Sequence, residues 1–137
     1  MTALYADASA ILRWLFAEKG ERIPLTQGLV ATSRLVEVET SRAVDRARLA
    51  GYLDDAGAAR RHTELADLLA QLHLAAVSDD VIRLARATFP VNVRALDAIH
   101  VATAQVLAAE VGPLQFWTHD ARQATAAMSR GLDVRGV

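Results

Sequence analysis

The chain has no cysteine. That excludes disulfide bridges, a thiolate nucleophile and cysteine-based zinc sites, and it fits a reducing cytosol. No apolar run approaches the roughly 20 residues that span a bilayer, so no membrane partner is expected. The opening Met1-Thr-Ala-Leu-Tyr5 has no basic stretch ahead of an apolar one, so no signal peptide is expected and the localisation reads as cytoplasmic. An excess of one charge is missing too. The net charge of −1 exerts no overall pull on nucleic acid, and a polyanionic substrate would have to be drawn by local arginines and by metal ions. Internal repeats, low-complexity tracts and linkers are absent.

What is present is apolar material. At 137 residues with 53% hydrophobic content, the chain is long enough for one domain over 1–137 with a real core. Alanine supplies much of that content and favours helices.

Strand-like and helix-like stretches alternate along the chain. Leu4 to Asp7 reads as a short buried strand, and Ala8 to Glu18 as a helix stopped near Gly20. Residues 20–30, with Pro24 and Gly28, leave room for one short helix at most. Leu29 to Thr32 is a second strand candidate. Ser33 is a favoured N-cap for a helix reaching Ala50, where Gly51 ends it. A further helix covers roughly Asp54 to Gln71, and Leu74 to Val77 is a strand candidate. Ser78-Asp79-Asp80 opens a helix ending before Pro90, with acids at its positive end. Ala95 to Ala109 is a helix, Gln115 to Thr118 a strand, Asp120 to Ser129 a helix, and Leu132 to Val134 a last strand. The alternation predicts an α/β fold with a parallel sheet covered on both faces. In such sheets functional groups gather beyond the carboxyl ends of the strands.

Four acids stand out by their settings. Asp7 and Asp120 each follow a short apolar run and open a helix, so two strand–acid–helix turns bring their carboxylates to one sheet edge. Asp97 interrupts the apolar pattern Arg94-Ala-Leu-Asp-Ala-Ile-His100, and Glu39 interrupts Ser33-Arg-Leu-Val-Glu-Val-Glu39. Acids inside apolar patterns are costly unless paired or bound to metal. A converging set of four points to a hard-cation site and metal-dependent phosphoryl chemistry. Each also has a simpler reading. Aspartate is a favoured helix cap, which alone accounts for Asp7 or Asp120. Asp97 is an acid in a first helical turn, and Glu39 has Arg42 three residues on as a surface partner.

These pieces, with Tyr5-Ala-Asp-Ala-Ser-Ala10, Leu96-Asp-Ala-Ile-His-Val-Ala-Thr-Ala104, Thr118-His-Asp120 and Gly131-Leu-Asp-Val134, occur in an order and spacing that resembles the PIN-domain ribonucleases. Within them the chain resembles the VapC toxins of bacterial toxin–antitoxin pairs. The likeness runs over nearly the whole chain, and the segment around Asp97 is its most specific part. It implies a three-layer α/β/α fold with a central parallel sheet, and endonucleolytic cleavage of RNA (tRNA, rRNA or mRNA) at a Mg²⁺ or Mn²⁺ site. Carried over by motif, the acidic set is Asp7, Glu39, Asp97 and Asp120. Asp7 and Asp97 are expected to hold the principal ion, and Glu39 and Asp120 to act directly or through water. Ser9 and Thr118 are expected to supply hydroxyls behind them. Glu39 is preferred to Glu37 because the motif acid precedes the small and basic residues Thr40-Ser41-Arg42. Helix geometry adds that the two point about 200° apart, at about 100° per residue. The likeness further implies a homodimer and a cognate antitoxin that inserts a basic side chain into the acidic pocket.

Other residues read more plainly. His100, three residues after Asp97, is expected to be packed and hydrogen-bonded rather than a ligand. Arg42, Arg46, Arg94 and Arg122 are phosphate-contact candidates that read first as surface charges. Trp14, Leu15 and Phe16 cannot all face one core from a single helix. Either one is exposed to a partner or the helix is buried broadly. Phosphotransfer rivals fit poorly: Asp7 is followed by Ala8, position 9 is serine, and the only lysine is Lys19. A PIN-like module kept for protein binding would be expected to have lost an acid, and a PIN nuclease outside any toxin pair remains an alternative.

Overall fold

A computed structural model describes residues 2–26 and 28–137. Five strands, β1 (Ala3–Ala6), β2 (Val30–Ser33), β3 (His73–Ala75), β4 (Leu114–Trp117) and β5 (Asp133–Arg135), form one sheet. Its order is β3-β2-β1-β4-β5 and every pairing is parallel. Between the strands run α1 (Ala8–Leu15), α2 (Leu35–Leu49), α3 (Asp55–Leu69), α4 (Asp79–Arg86), α5 (Ala95–Val111) and α6 (Ala121–Ser129).

The strand residues alternate between two cores, as a period of two requires. Leu4 and Ala6 of β1 join Ile11 and Leu15 of α1, Val36 and Val44 of α2 and Leu65 of α3 on one face. Ala3 and Tyr5 join Val101, Ala104 and Leu107 of α5, Phe116 of β4 and Ala127 of α6 on the other. The result is the three-layer α/β/α arrangement expected from the alternation of elements. β1 and β2 are buried along their whole length, whereas the edge strands β3 and β5 are not. Continuous apolar runs belong to strands covered on both faces.

The strand order places the turning point of the topology between β1 and β4. The chain winds outward from β1 through β2 to β3, then returns to the other side of β1 for β4 and β5. A crevice beyond the carboxyl ends of two such strands is where open α/β sheets place ligands. Ala6 pairs with Trp117, so the residues just after them, Asp7 and Thr118, are neighbours.

Several boundaries differ from the expected ones. α1 ends at Leu15 rather than Glu18: Ala17 turns into the left-handed region (φ 51°), and the Glu18 N–H returns to the Arg13 carbonyl at 3.0 Å. Ser33 is the last residue of β2, and Arg34 occupies the cap position of α2. The Ser33 hydroxyl still accepts from the Leu35 N–H at 3.1 Å, doing a cap's work from one residue upstream. No helix forms in 20–30 among the described residues, and Gln27 lies outside them. Broad burial describes the end of α1: Leu15 is buried, and Trp14 and Phe16 are half-buried against the same core. Trp14 donates from Nε1 to the Ile23 carbonyl at 2.8 Å.

Ile11 is fully buried between α1 and the sheet. Ile11→Ala is expected to lower unfolding stability by about 2–5 kcal/mol. Val38, which is 63% exposed on α2, should tolerate alanine within about 0.5 kcal/mol. Urea titrations of the two variants measure the difference.

Candidate functional site

Asp7 caps α1 from the end of β1, and it is buried, with 4% exposure. Its Oδ1 accepts from Ser9 Oγ at 2.7 Å and from the Ala10 N–H at 3.0 Å. Its Oδ2 accepts from Thr118 Oγ1 at 2.6 Å. The two hydroxyls also stitch the neighbouring turns together. Ser9 Oγ accepts from the His119 N–H at 2.7 Å, and Thr118 Oγ1 accepts from the Asp120 N–H at 3.0 Å. Ser9 and Thr118 therefore both donate to the Asp7 carboxylate. Despite these donors, burial pushes the Asp7 carboxyl above its ordinary value, against the nearby His100 and the three hydrogen bonds.

Asp120 caps α6, and its Oδ1 accepts from the Arg122 N–H at 2.9 Å. Unlike Asp7 it is exposed. Capping thus describes both aspartates correctly; with Ser9 and Thr118 also donating, Asp7 keeps one of about four acceptor positions, and Asp120 keeps most of its own.

Asp97 lies in the first turn of α5, half-buried. Its carboxylate accepts no hydrogen bond among the described residues. Burial pushes its pKa up, and the charges of Asp120 and Asp7 add to this, opposed by His100 and Arg94. Asp97 therefore lies within electrostatic reach of both Asp120 and Asp7 at the carboxyl edge.

Glu39 comes from the middle of α2. Its Oε1 lies 2.6 Å from Nε2 of His100, which is 2% exposed on α5. Glu37 instead pairs with Arg34 at the surface, at 3.1 Å, so of the two glutamates Glu39 is the one directed inward. Arg42 pairs with Asp45, not with Glu39. His100 is packed and hydrogen-bonded as expected, yet its partner is one of the four acids.

Glu39, Asp97 and Asp120 line one depression of about 290 Å³, with Arg94 and Arg122 beside them. Asp7 is not among its lining residues. Its tie to the others is electrostatic, and it runs through Asp97 and His100. A larger hollow of about 380 Å³ between α2 and α3 is lined mainly by Leu65, Leu69, Leu74 and alanines. It gathers no acid cluster, and charge rather than size marks the site.

All the candidate donors are carboxylate or hydroxyl oxygens, which suit a hard divalent cation and not a soft one. The half-buried, unpartnered carboxylate of Asp97 beside two further acids is what such a cation would relieve, so the residues fit it. They do not form a closed ligand set as they stand. Among the described residues no three His, Asp or Glu side chains are close enough together to hold an ion.

Two contributors to this region were not singled out from the sequence. Gln123, buried on α6, donates from Nε2 to the Asp97 backbone carbonyl at 3.4 Å. Its only signal was its place one turn after Asp120. Tyr5, fully buried, lies 2.6 Å from His100 Nδ1 through its hydroxyl, and nothing in a short apolar run marks that role.

The raised pKa values carry a stability consequence. A carboxyl whose folded pKa exceeds its ordinary value of 3.8 destabilises the fold once ionised. The destabilisation grows as pH rises from about the unfolded value through the folded one. In chelator at pH 7, Asp7→Asn and Asp97→Asn should each raise the melting temperature. The gain should shrink as the pH falls toward the unfolded pKa, and melts across pH 4–8 read both effects.

The PIN domain family model matches residues 4–128. Ribonuclease VapC46 of Mycobacterium tuberculosis is 37% identical over 135 residues, which cover 98% of this chain and 97% of that protein. The crystal structure of VapBC2 from Rickettsia felis, bound to a DNA fragment from its promoter, superposes with a TM-score of 0.66 at 10% identity over 98% of both chains. VapBC-5 of Mycobacterium tuberculosis, a member of the VapBC family of toxin–antitoxin systems, gives 0.60 at 20% identity over the whole of both chains. At such identities these two structures speak for the fold alone. With the family model and the 37% identical relative both running over nearly its whole length, the chain belongs to the PIN domain family, in its VapC group.

Proposed function

We propose that the chain is a divalent-metal-dependent endoribonuclease and the toxin of a VapBC-type toxin–antitoxin pair. The observation that carries this reading is the gathering of Glu39, Asp97 and Asp120 around one depression beside Asp7 at the turning point of the sheet, where burial and the charges of Asp120 and Asp7 raise the Asp97 pKa against His100 and Arg94. The name of the 37% identical relative, a ribonuclease, supports the substrate class. The VapBC neighbours support an antitoxin partner.

In this reading Asp7 and Asp97 hold the principal Mg²⁺ or Mn²⁺, and Glu39 and Asp120 engage it directly or through water. When bound, the cation supplies Lewis acidity toward phosphoryl oxygens and an activated water at neutral pH. The chain's own residues do the rest. Ser9 and Thr118 orient the Asp7 carboxylate. Arg94 and Arg122 are exposed beside the depression and form no ion pair among the described residues. They are free to receive the phosphates flanking the cleaved bond. The antitoxin would close the same depression with a basic side chain, matching its negative charge. Among the described residues no helix is long and apolar enough to cross a membrane, and the functional form in this reading is a cytoplasmic homodimer. The protein-binding alternative is disfavoured because all four acids are present.

Antitoxin-free protein should cut a mixed tRNA and rRNA pool at discrete positions with Mg²⁺ or Mn²⁺ and not with EDTA. Asp7→Asn and Asp97→Asn should each lower the rate by about 100-fold or more, as expected when a group stabilising developing charge is removed. Metal-independent cutting, or full activity in both variants, overturns the assignment. Arg94→Ala with Arg122→Ala should raise KM more than it lowers kcat. The pair should also flatten the dependence of log K on log salt by roughly 1 for each phosphate that is no longer neutralised.

A further inference from the structure

A buried polar chain runs from the central strand to the acidic depression. Tyr5 Oη lies 2.6 Å from His100 Nδ1, and His100 Nε2 lies 2.6 Å from Glu39 Oε1. The three residues come from β1, α5 and α2, and Tyr5 and His100 are almost wholly excluded from solvent. The Tyr5 ring is stacked on Phe116 (5.2 Å between centroids, 18° between planes) and meets the His100 ring edge-on (5.9 Å, 70°). Packing therefore fixes the orientation of the phenol and the imidazole before any ligand arrives.

We propose that His100 is a positioning residue for the metal site: its Nε2–H holds one oxygen of Glu39 and leaves the other for the cation, while Tyr5 sets which ring nitrogen carries that proton. The proposal rests on the metal-dependent reading above.

The hydrogen-bonding capacity of the three groups leads to this role. Tyr5 has a single phenol proton, and at the ordinary phenol pKa of about 10 it keeps that proton at neutral pH. Donated to Nδ1, that proton requires the ring to carry its own on Nε2. The Nε2–H then meets Glu39 Oε1. A carboxylate has about four acceptor positions on two oxygens. One oxygen of Glu39 is engaged, and the other accepts nothing among the described residues, while the side chain lines the depression with Asp97 and Asp120. An unrestrained glutamate would sample many rotamers at this place. Clamped by a buried imidazole, it presents one oxygen in one direction, and groups behind metal ligands commonly act in this way.

The test is Mn²⁺ titration calorimetry on folded protein, with thermal melts alongside. The variants are Tyr5→Phe, His100→Met and His100→Gln, each in the wild-type and Glu39→Gln backgrounds. His100→Met keeps bulk without a donor and should weaken Mn²⁺ binding roughly 10- to 100-fold. His100→Gln carries an amide N–H at nearly the reach of imidazole Nε2 and should recover most of that affinity. Tyr5→Phe keeps the ring packing and should weaken binding several-fold. In the Glu39→Gln background all three should bind Mn²⁺ like Glu39→Gln alone. A role confined to the core would lower the melting temperature and leave the ratio of affinities unchanged, which overturns the proposal. Equal weakening in both backgrounds also overturns it. Wild-type protein that takes up no Mn²⁺ would instead remove the metal-dependent reading itself.

Discussion

Asp7 is a carboxylate shut away from water, and the carboxyl edge of the sheet is organised around satisfying it. Its donors come from two turns that are distant in sequence: Ser9 and the Ala10 N–H from the start of α1, and Thr118 from the end of β4. That arrangement requires β1 and β4 to lie side by side, in the register that pairs Ala6 with Trp117. The placing of Asp120 and Asp97 follows from it. Thr118 accepts the Asp120 N–H and so fixes the entry to α6. Gln123, one turn further along α6, reaches the Asp97 backbone. A buried charge left without these partners would cost more than the surrounding packing could offset.

The same edge works against the stability of the protein that builds it. Burial and neighbouring acids raise the pKa of Asp97, and burial raises that of Asp7. The apolar layers on the two faces of the sheet provide the stability that holds the acids together. Sites of this kind are where stability is exchanged for chemistry. His100 sits at the junction of the conflict. Its Nδ1 meets the buried Tyr5 hydroxyl and its Nε2 meets Glu39. A histidine in an apolar helix pattern is usually no more than a satisfied core residue. Here it is satisfied by an acid of the site.

Element type was readable because the chain states it repeatedly. Apolar runs of about four residues followed by Asp7 and Thr118-His-Asp120 announce strand–turn–helix. Ser78 caps α4 where a helix start was read, with a side-chain bond to Val81, and Asp54, read as the first residue of its helix, caps α3 through Gly57. Ends were less readable. α1 stops at Leu15 because Ala17 adopts a left-handed conformation that alanine rarely takes and composition does not signal. Ser33 belongs to β2 because its backbone pairs with Ala75 in β3, a partner distant in the chain. Glu39 over Glu37 was decided by motif and supported by helix geometry, and surface pairing of Glu37 with Arg34 agrees with it.

The amino-acid sequence alone determined the α/β class, and its motifs marked four acids and two hydroxyls as candidates for an oxygen-rich site. These are properties of local pattern: strand period, helix capping, and acids placed where an apolar residue would otherwise stand. Only the tertiary structure decided the strand order, the burial of Asp7 as against the exposure of Asp120, and the linking of Tyr5, His100 and Glu39 into one chain. Each of these depends on which distant segments become neighbours. Parallel strands are joined by crossovers whose length does not reveal the order of pairing, and a side chain's partner, its pKa and its access to solvent follow from that order.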